Sequence, residues 1–351
     1  MAAPKVRIAA DDLRDLVAGI FVARGARTDD ASLVADSLVW ANLRGVESHG
    51  VSRVPRYLEL FDKGDSDPAA EVSVQRLRSA IVLIDAHTAP GPVAMTRAVH
   101  EVVAAARETG IAWAAVRSTV HTGAIGRYTS LIAEAGMAGV GIVAGVPNMA
   151  YAGGRSAGVA TSPLSVAIPS GGDDPVLLGM ATAVVALGRL AQMKASGTPL
   201  ADGVALTADG EPTNDPALAA IPLPVGGAKG AAMSLVFELL ASGLVGNPIV
   251  SAFHDGSPGG RRHRQNGALI AIDIEAFLPL TEFTQIVDAT VTAIKALPRA
   301  QEDVEILVPG ERGARTAATR RVDGVPLGPK VWDQLCADAA ALGVPLPSVL
   351  D

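Results

Sequence analysis

Two apolar runs, IAWAAVRST at 111–119 and MAGVGIVAGV at 137–146, flank the segment HTGAIGRYTSLIAEAG, whose apolar residues recur at helical spacing. A strand that is apolar on both faces has to be covered on both faces. Strand, helix and strand in this order therefore point to a layered α/β arrangement with a sheet buried between other elements.

The alternation extends in both directions. IAADDLRDLVAGIFVARG (8–25) and TDDASLVADSLVWANLRG (28–45) predict two helices, the second capped by Thr28 or Asp29. SAIVLIDA (79–86) predicts a buried strand and GPVAMTRAVHEVVAAARETG (91–110) an amphipathic helix ending at Gly110. LSVAIPS (164–170) predicts a short strand, and VLLGMATAVVALGRLAQMKASG (176–197) a strand running into a helix. Residues 198–224, rich in Pro, Asp, Thr and Gly, predict a long irregular connection. GAKGAAMSLVFELLASGLVG (227–246) predicts a glycine-led helix, GALIAIDIEAF (267–277) a strand and TEFTQIVDATVTAIKAL (281–297) a helix. VEILVPG (304–310) predicts a last strand, and 328–343 a C-terminal helix. The result is α/β with mixed connections. No glycine-rich dinucleotide fingerprint falls between a strand and a helix with an acidic residue about 20 positions on.

Apolar residues make up 49% of the 351 and aromatics only 3%, so Ala, Val and Gly carry the packing. A formal charge of −7 excludes a duplex nucleic-acid binder, while single Arg and His residues can still attract a small anion. The longest apolar stretches are broken by Glu134, Pro147, Glu238 and Pro248, too interrupted for a membrane span of about 20 residues. One cysteine, Cys336, provides neither a disulfide framework nor a thiolate cluster, and no metal-ligand spacing occurs among the His, Asp and Glu residues. With no signal-type apolar core near the first residues, a cytoplasmic protein is expected.

Four segments carry candidate chemistry. In ESHGVSRVPRY, Ser48 and His49 precede Arg53 by five and four residues, so on a helix His49 and Arg53 share a face. Arginine clamping a carboxylate beside a histidine that protonates a carbonyl or imine suits this pattern. The bland alternative is a Ser N-cap with surface arginines at 53 and 56. In STVHTGAIGRY, His121, Thr122 and Gly123 are expected at a helix N-terminus able to attract an anion, or to form a plain glycine turn. Lys229 lies among glycines ahead of a helix without P-loop spacing, and Arg312 and Arg315 follow a Pro-Gly turn.

In order, LRGVESHGVSRVPRYLELFDKG, HTGAIGRY, GGRSAGVATSPLSVAIP, GMATAVVALGR, ADGEPTNDPA, LPVGGAKG and AIDIEAF closely resemble the type-2 malate/L-lactate dehydrogenase family over roughly residues 8 to 345. That family includes ureidoglycolate and sulfolactate dehydrogenases and the piperideine and pyrroline carboxylate reductases. The resemblance implies a non-Rossmann α/β fold with a mixed sheet and a helical N-terminal part. It implies an N-terminal substrate part over 1–115, a cofactor-binding part over 116–270 and a C-terminal part over 271–351 that returns to the first. The implied activity is NAD- or NADP-dependent hydride transfer to or from a small 2-hydroxy, 2-oxo or cyclic 2-imino acid, without a metal, in a homodimer.

By motif match, Ser48 and His49 resemble the family's relay serine and proton donor, and Arg53 its substrate-carboxylate arginine. His121 opens the H-x-G segment, which continues through Thr122, Gly123, Ala124 and Ile125 along the cofactor. In some members that histidine is the proton acceptor, so the two histidines stand as rivals. Thr161 matches a substrate-side turn, Met180 and Ala181 the end of a D-M-A motif, Lys229 a cofactor lysine, and Gly310, Glu311 and Arg312 a late cofactor turn. Gly179 stands where the family usually has Asp, and Ala231 where an aromatic is usual. These departures motivate a second reading, a family scaffold that has lost redox chemistry and acts as a non-redox enzyme or binding protein.

Overall fold

The computed structural model describes residues 6–350. Its centre is a seven-stranded mixed sheet, formed by β1 (Ser73–Arg78), β2 (Ile81–Asp85), β3 (Ile111–Thr119), β4 (Met137–Gly145), β5 (Leu164–Ile168), β6 (Val176–Met180) and β7 (Gln265–Asp273), in the order β1-β2-β3-β7-β4-β5-β6. The pair β2 and β3 is parallel and the other neighbours are antiparallel. The two apolar runs β3 and β4 do not touch as partners. The late strand β7 lies between them, with Ile270 opposite Trp113 on one side and Val140 on the other.

Helices α1 (Ala10–Ala23), α2 (Thr28–Leu43), α3 (Val54–Asp62), α4 (Gly91–Thr109) and α5 (Gly126–Glu134) form the N-terminal helical part. Downstream come α6 (Leu187–Ser196), α7 (Ala228–Glu238), α8 (Val250–His254), α9 (Leu280–Lys295), α10 (Glu311–Asp323) and α11 (Pro329–Leu342). One core packs α4 and α5 onto the sheet through Met95, Ala98, Val102, Tyr128 and Ile132 against Ile84, Val116 and Leu269. Small residues permit close approach here. A Cβ on Gly139 of β4 would stand 2.9 Å from Ile132 Cβ, and one on Gly141 3.0 Å from Ile125 Cδ1, so glycine lets α5 lie directly on the strand. A second core joins α1, α2 and α3 to α11 and to the antiparallel pair Val6–Ile8 and Val325–Leu327, around Leu13, Phe21, Leu38 and Tyr57.

Several expectations need correction. Thr28 is the first helical residue of α2, with Arg27 before it in extended conformation and no side-chain cap bond, so neither Thr28 nor Asp29 caps. Strand β1 went unread because its alternation of polar and apolar residues leaves it mostly exposed. The irregular 198–224 connection holds a small sheet of Ala205–Leu206, Pro212–Thr213 and Ile221–Pro222. VEILVPG is not a strand: its Val304 and Leu307 are exposed and it pairs with no sheet edge. The last strand is instead Val325–Leu327. Among the described residues no helix is long and apolar enough to cross a membrane.

Candidate active site

The turn after α2 is folded by one side chain. Asn42 Oδ1 accepts the Val51 N–H at 2.7 Å, and a Cβ on Gly50 would stand 2.0 Å from that same oxygen. Only glycine fits, and the chain reverses through two short 3₁₀ turns, Glu47–His49 and Val51–Arg53, before α3. His49 and Arg53 are thus not on one continuous helix, as expected, yet they are brought together. Arg53 Nε donates to the Ser48 carbonyl at 2.5 Å, and the Ser48 hydroxyl lies 3.0 Å from His49 Nδ1. From α10, Arg320 donates to Glu47 at 2.9 Å and holds the outer turn.

His121 approaches from the other side. Its ring stacks on that of His49, with centroids 5.5 Å apart and planes 26° from parallel. The segment 121–123 does not open a helix, because α5 starts at Gly126, and its N–H groups are not available to an anion. Thr122 N–H donates to Gln265 at 2.8 Å and Gly123 N–H to His121 Nδ1 at 3.3 Å. Gly91 underlies it, since a Cβ there would stand 2.3 Å from the His121 carbonyl. The buried Tyr57 hydroxyl of α3 lies 2.9 Å from His121 Nδ1 and 3.0 Å from the His121 carbonyl. Because a backbone N–H cannot accept, Nδ1 carries the lone pair and the ring proton sits on Nε2.

Each ring keeps an accessible edge while protein surrounds the rest. Burial, then the charge of Arg53, pushes the His49 pKa down to about 4. Burial, then His49 and Arg53, holds His121 well below its ordinary range. Both imidazoles are therefore neutral at pH 7. Burial also pushes the Tyr57 phenol up, so it remains a hydroxyl.

The other expected residues form a second group. The Thr161 N–H donates to Asn148 at 2.8 Å, and Thr161 lines a cavity of about 230 Å³. Met180 pairs with Leu164, three residues beyond Thr161, and Ala181 follows it. The Val225 N–H donates to the Thr182 carbonyl at 2.8 Å, and a Cβ on Gly230 would stand 2.5 Å from that carbonyl, so the start of α7, with Lys229, is packed against 180–182. Lys229 is exposed and takes no ion pair among the described residues. A Cβ on Gly179 would meet nothing within 4 Å, leaving open space beside Met180. Ala124 and Ile125 lie under the stacked histidines' segment, Ile125 facing Gly141.

Gly310 to Arg312 stand apart from Met180, at the opposite end of β6. A Cβ on Gly310 would lie 2.9 Å from Leu177 Cβ, and three strand residues, about 10 Å, separate that point from Met180. Glu311 is held by Lys295 and Arg315.

Sequence reading missed Asn42, Tyr57, Gln265, Gly188 and His263. Tyr57 looked like one more apolar position of α3. A Cβ on Gly188 of α6 would lie 2.2 Å from Ser48 Cβ, a close approach with no sequence signal. His263 sits in a basic run and lines both the 230 Å³ cavity and a neighbouring one of about 750 Å³.

A helical N-terminal part, a mixed non-Rossmann sheet and paired neutral histidines beside an arginine define an oxidoreductase site. The family profile described as malate/L-lactate dehydrogenase matches residues 8–336, and the chain belongs to that family. It is 33% identical to a malate dehydrogenase of Pyrococcus abyssi, over 97% of this chain and 96% of that one. It is 27% identical to a ureidoglycolate dehydrogenase (NAD(+)) of Escherichia coli, over 95% and 96%. Among solved structures, a malate dehydrogenase from Entamoeba histolytica shares the fold with a TM-score of 0.92 at 24% identity, covering 98% of this chain and 100% of that one. A delta1-piperideine-2-carboxylate reductase from Pseudomonas syringae superposes with a TM-score of 0.83 at 27% identity, covering 95% and 99%. The chain is an oxidoreductase, and these relatives lend no support to a scaffold that has lost redox chemistry.

Proposed function

We propose that this enzyme transfers hydride between NAD or NADP and a small 2-oxo or 2-hydroxy acid, or a cyclic 2-imino acid. The observation that carries this reading is the stacked pair of neutral histidines with Arg53 against them. The group Thr161, Met180, Ala181 and Lys229 fits a nicotinamide cofactor: the space at Gly179 is open, and the Lys229 ammonium is unpaired beside it. Residues 121–125 and the turn Gly310–Arg312 complete the proposed cofactor contacts. When bound, that cofactor supplies or accepts the hydride.

The chain's own residues do the rest. Arg53 binds the substrate carboxylate, which also offsets the charge that depresses the His49 pKa. His49 then moves the proton at the carbonyl or imine. Its Nδ1 faces a hydroxyl, Ser48, which can donate or accept as the ring changes charge. His121 cannot follow so easily, because protonating Nδ1 would set it against the Gly123 N–H. It serves as a neutral Nε2–H donor that orients and polarises the reacting group.

The division at 115 and 270 belongs to the same reading, supported by the pairing of Val6–Ile8 with Val325–Leu327 and by the position of Lys229 and Met180 within 116–270. We place the enzyme in the cytoplasm as a homodimer. Helix α9 buries none of its residues and exposes Ile286 and Ile294, with Leu297 and Phe277 (77% exposed) flanking it, a surface suited to a second copy.

The test is a panel of 2-oxo acids and cyclic imines with NADH and NADPH. His49→Ala and His121→Ala should each lose at least about 100-fold in kcat, as expected for a removed general acid or oriented donor, and Arg53→Ala should mainly raise KM. Fluorescence titration showing no binding of either nucleotide would overturn the reading.

A further inference from the structure

His263 lies at a junction. The cavity of about 230 Å³ also contains Thr161 and Gln265, and Gln265 holds the Thr122 N–H beside His121. The larger cavity of about 750 Å³ opens next to it, and His263 and Val146 are common to the walls of both. His263 Nε2 is buried and has no hydrogen-bond partner among the described residues. A buried polar atom without a partner costs stability, so its retention points to a group that arrives with a ligand.

The wall around it indicates which group. Arg56, Lys63, Arg261 and Arg262 line the larger cavity with His263, against the carboxylate of Asp65. Arg56 and Lys63 both lean on Glu59, Arg262 reaches Asp65 only at 3.8 Å, and Arg261 stacks on Phe253. Four guanidinium or ammonium groups thus face two carboxylates. Arg56 comes three residues after Arg53 on the same chain segment, so the cationic field continues from the carboxylate clamp into this cavity. His263 feels it, since burial and then Arg56 push its pKa down to about 4.

We propose that His263 is a specificity-determining residue whose Nε2–H binds a second acidic group at the far end of the substrate, so that the enzyme prefers dianionic to monoanionic 2-oxo acids. Arg53 holds the carboxylate next to the reacting carbon, and His263, with Arg56 behind it, holds the distal carboxylate or sulfonate. A monoanionic acid leaves the ring unpartnered. This rests on the hydride-transfer reading above for its reaction, but the binding preference stands independently of turnover.

The experiment compares oxaloacetate with pyruvate, which differ by one carboxylate. The ratio of their kcat/KM values is measured for wild type, His263→Leu and His263→Asn with NADH and with NADPH. This ratio does not depend on the fraction of protein that is folded. Wild type should favour oxaloacetate, His263→Leu should lower the ratio on the order of 10- to 100-fold, and His263→Asn, which keeps an N–H donor, should recover part of it. Calorimetric titration with L-malate and L-lactate reads the same preference without turnover. If neither oxo acid is reduced but malate binds more tightly and loses that advantage in His263→Leu, the hydride-transfer reading fails and this one survives. A ratio unchanged by His263→Leu in both measurements, or no preference in wild type, overturns it.

Discussion

The closest contact in the site is one that a single methyl group would break. At Gly188 an added Cβ would lie 2.2 Å from Ser48 Cβ and 2.9 Å from Ser48 Oγ. Ordinary carbon contacts begin near 3.5 Å, so Gly188→Ala must separate α6 from the Ser48 turn by roughly 1.3 Å. The Ser48 turn cannot retreat far, because its carbonyl accepts from Arg53 and its neighbour Glu47 is held by Arg320. The shift therefore falls on the Ser48–His49 pair, α6, or both. A misplacement of about 1 Å in a catalytic constellation costs on the order of 100-fold in rate, or about 2.7 kcal/mol of barrier. Overpacking should also lower stability by about 1–3 kcal/mol. Steady-state kinetics on whichever oxo acid or imine is turned over should show the loss in kcat, with a melting-temperature decrease of a few degrees. Gly328→Ala serves as the control, because a Cβ there meets nothing within 4 Å and the residue precedes α11 away from the site. A Gly188→Ala enzyme with kcat within threefold of wild type and an unchanged melting temperature would refute the claim that α6 sets the position of Ser48.

Two further outcomes are expected. Tyr57→Phe removes the hydroxyl that fixes His121 at 2.9 Å, and kcat should fall about tenfold with a smaller change in KM, measured by the same assay; an equal loss in KM alone would contradict an orienting role. His49 is ordinarily half-protonated near pH 6.5, but in the folded enzyme only near pH 4, so the unfolded chain binds more protons between these values. Its contribution to stability is complete above pH 6.5 and is lost as pH falls toward 4. The ring's accessible edge trims this share to about 1–3 kcal/mol. Urea midpoints at pH 7 and pH 4 should therefore differ less in His49→Gln than in wild type; an unchanged difference would contradict the burial of a neutral ring.

The strands most legible in the sequence were those whose burial on both faces dictates their composition, β3 and β4. Their partner was not legible, because the pairing of β7 between them is a contact across more than a hundred residues with no local signature. VEILVPG has a strand's composition, yet Glu305 is drawn out to Arg315 and no free edge is present to receive the segment. In the site, Ser48, His49, Arg53 and His121 were legible as residue types, while their convergence depends on Asn42 and Gly50, whose roles are purely steric and local to the fold. A hydroxyl on an otherwise apolar helix face, as at Tyr57, looks like core until the facing side chain is known. His263 was hidden for the opposite reason: arginines on both sides made it look like part of a solvated basic loop.

The central position of β7 has a consequence for how the chain acquires activity. Strands β3 and β4 lead into and out of the His121 segment, but both take their hydrogen bonds from a strand made much later in the chain. Until residue 273 has emerged and inserted, two long apolar strands expose unpaired edges, and Gln265 is not yet in place to hold Thr122. Sheet closure and site assembly are then one event, governed by a long-range search that makes folding slow and leaves the incomplete chain prone to aggregation. Any loop lengthening between Gly145 and Gln265 should therefore act on the rate at which active enzyme appears more than on the activity it finally reaches.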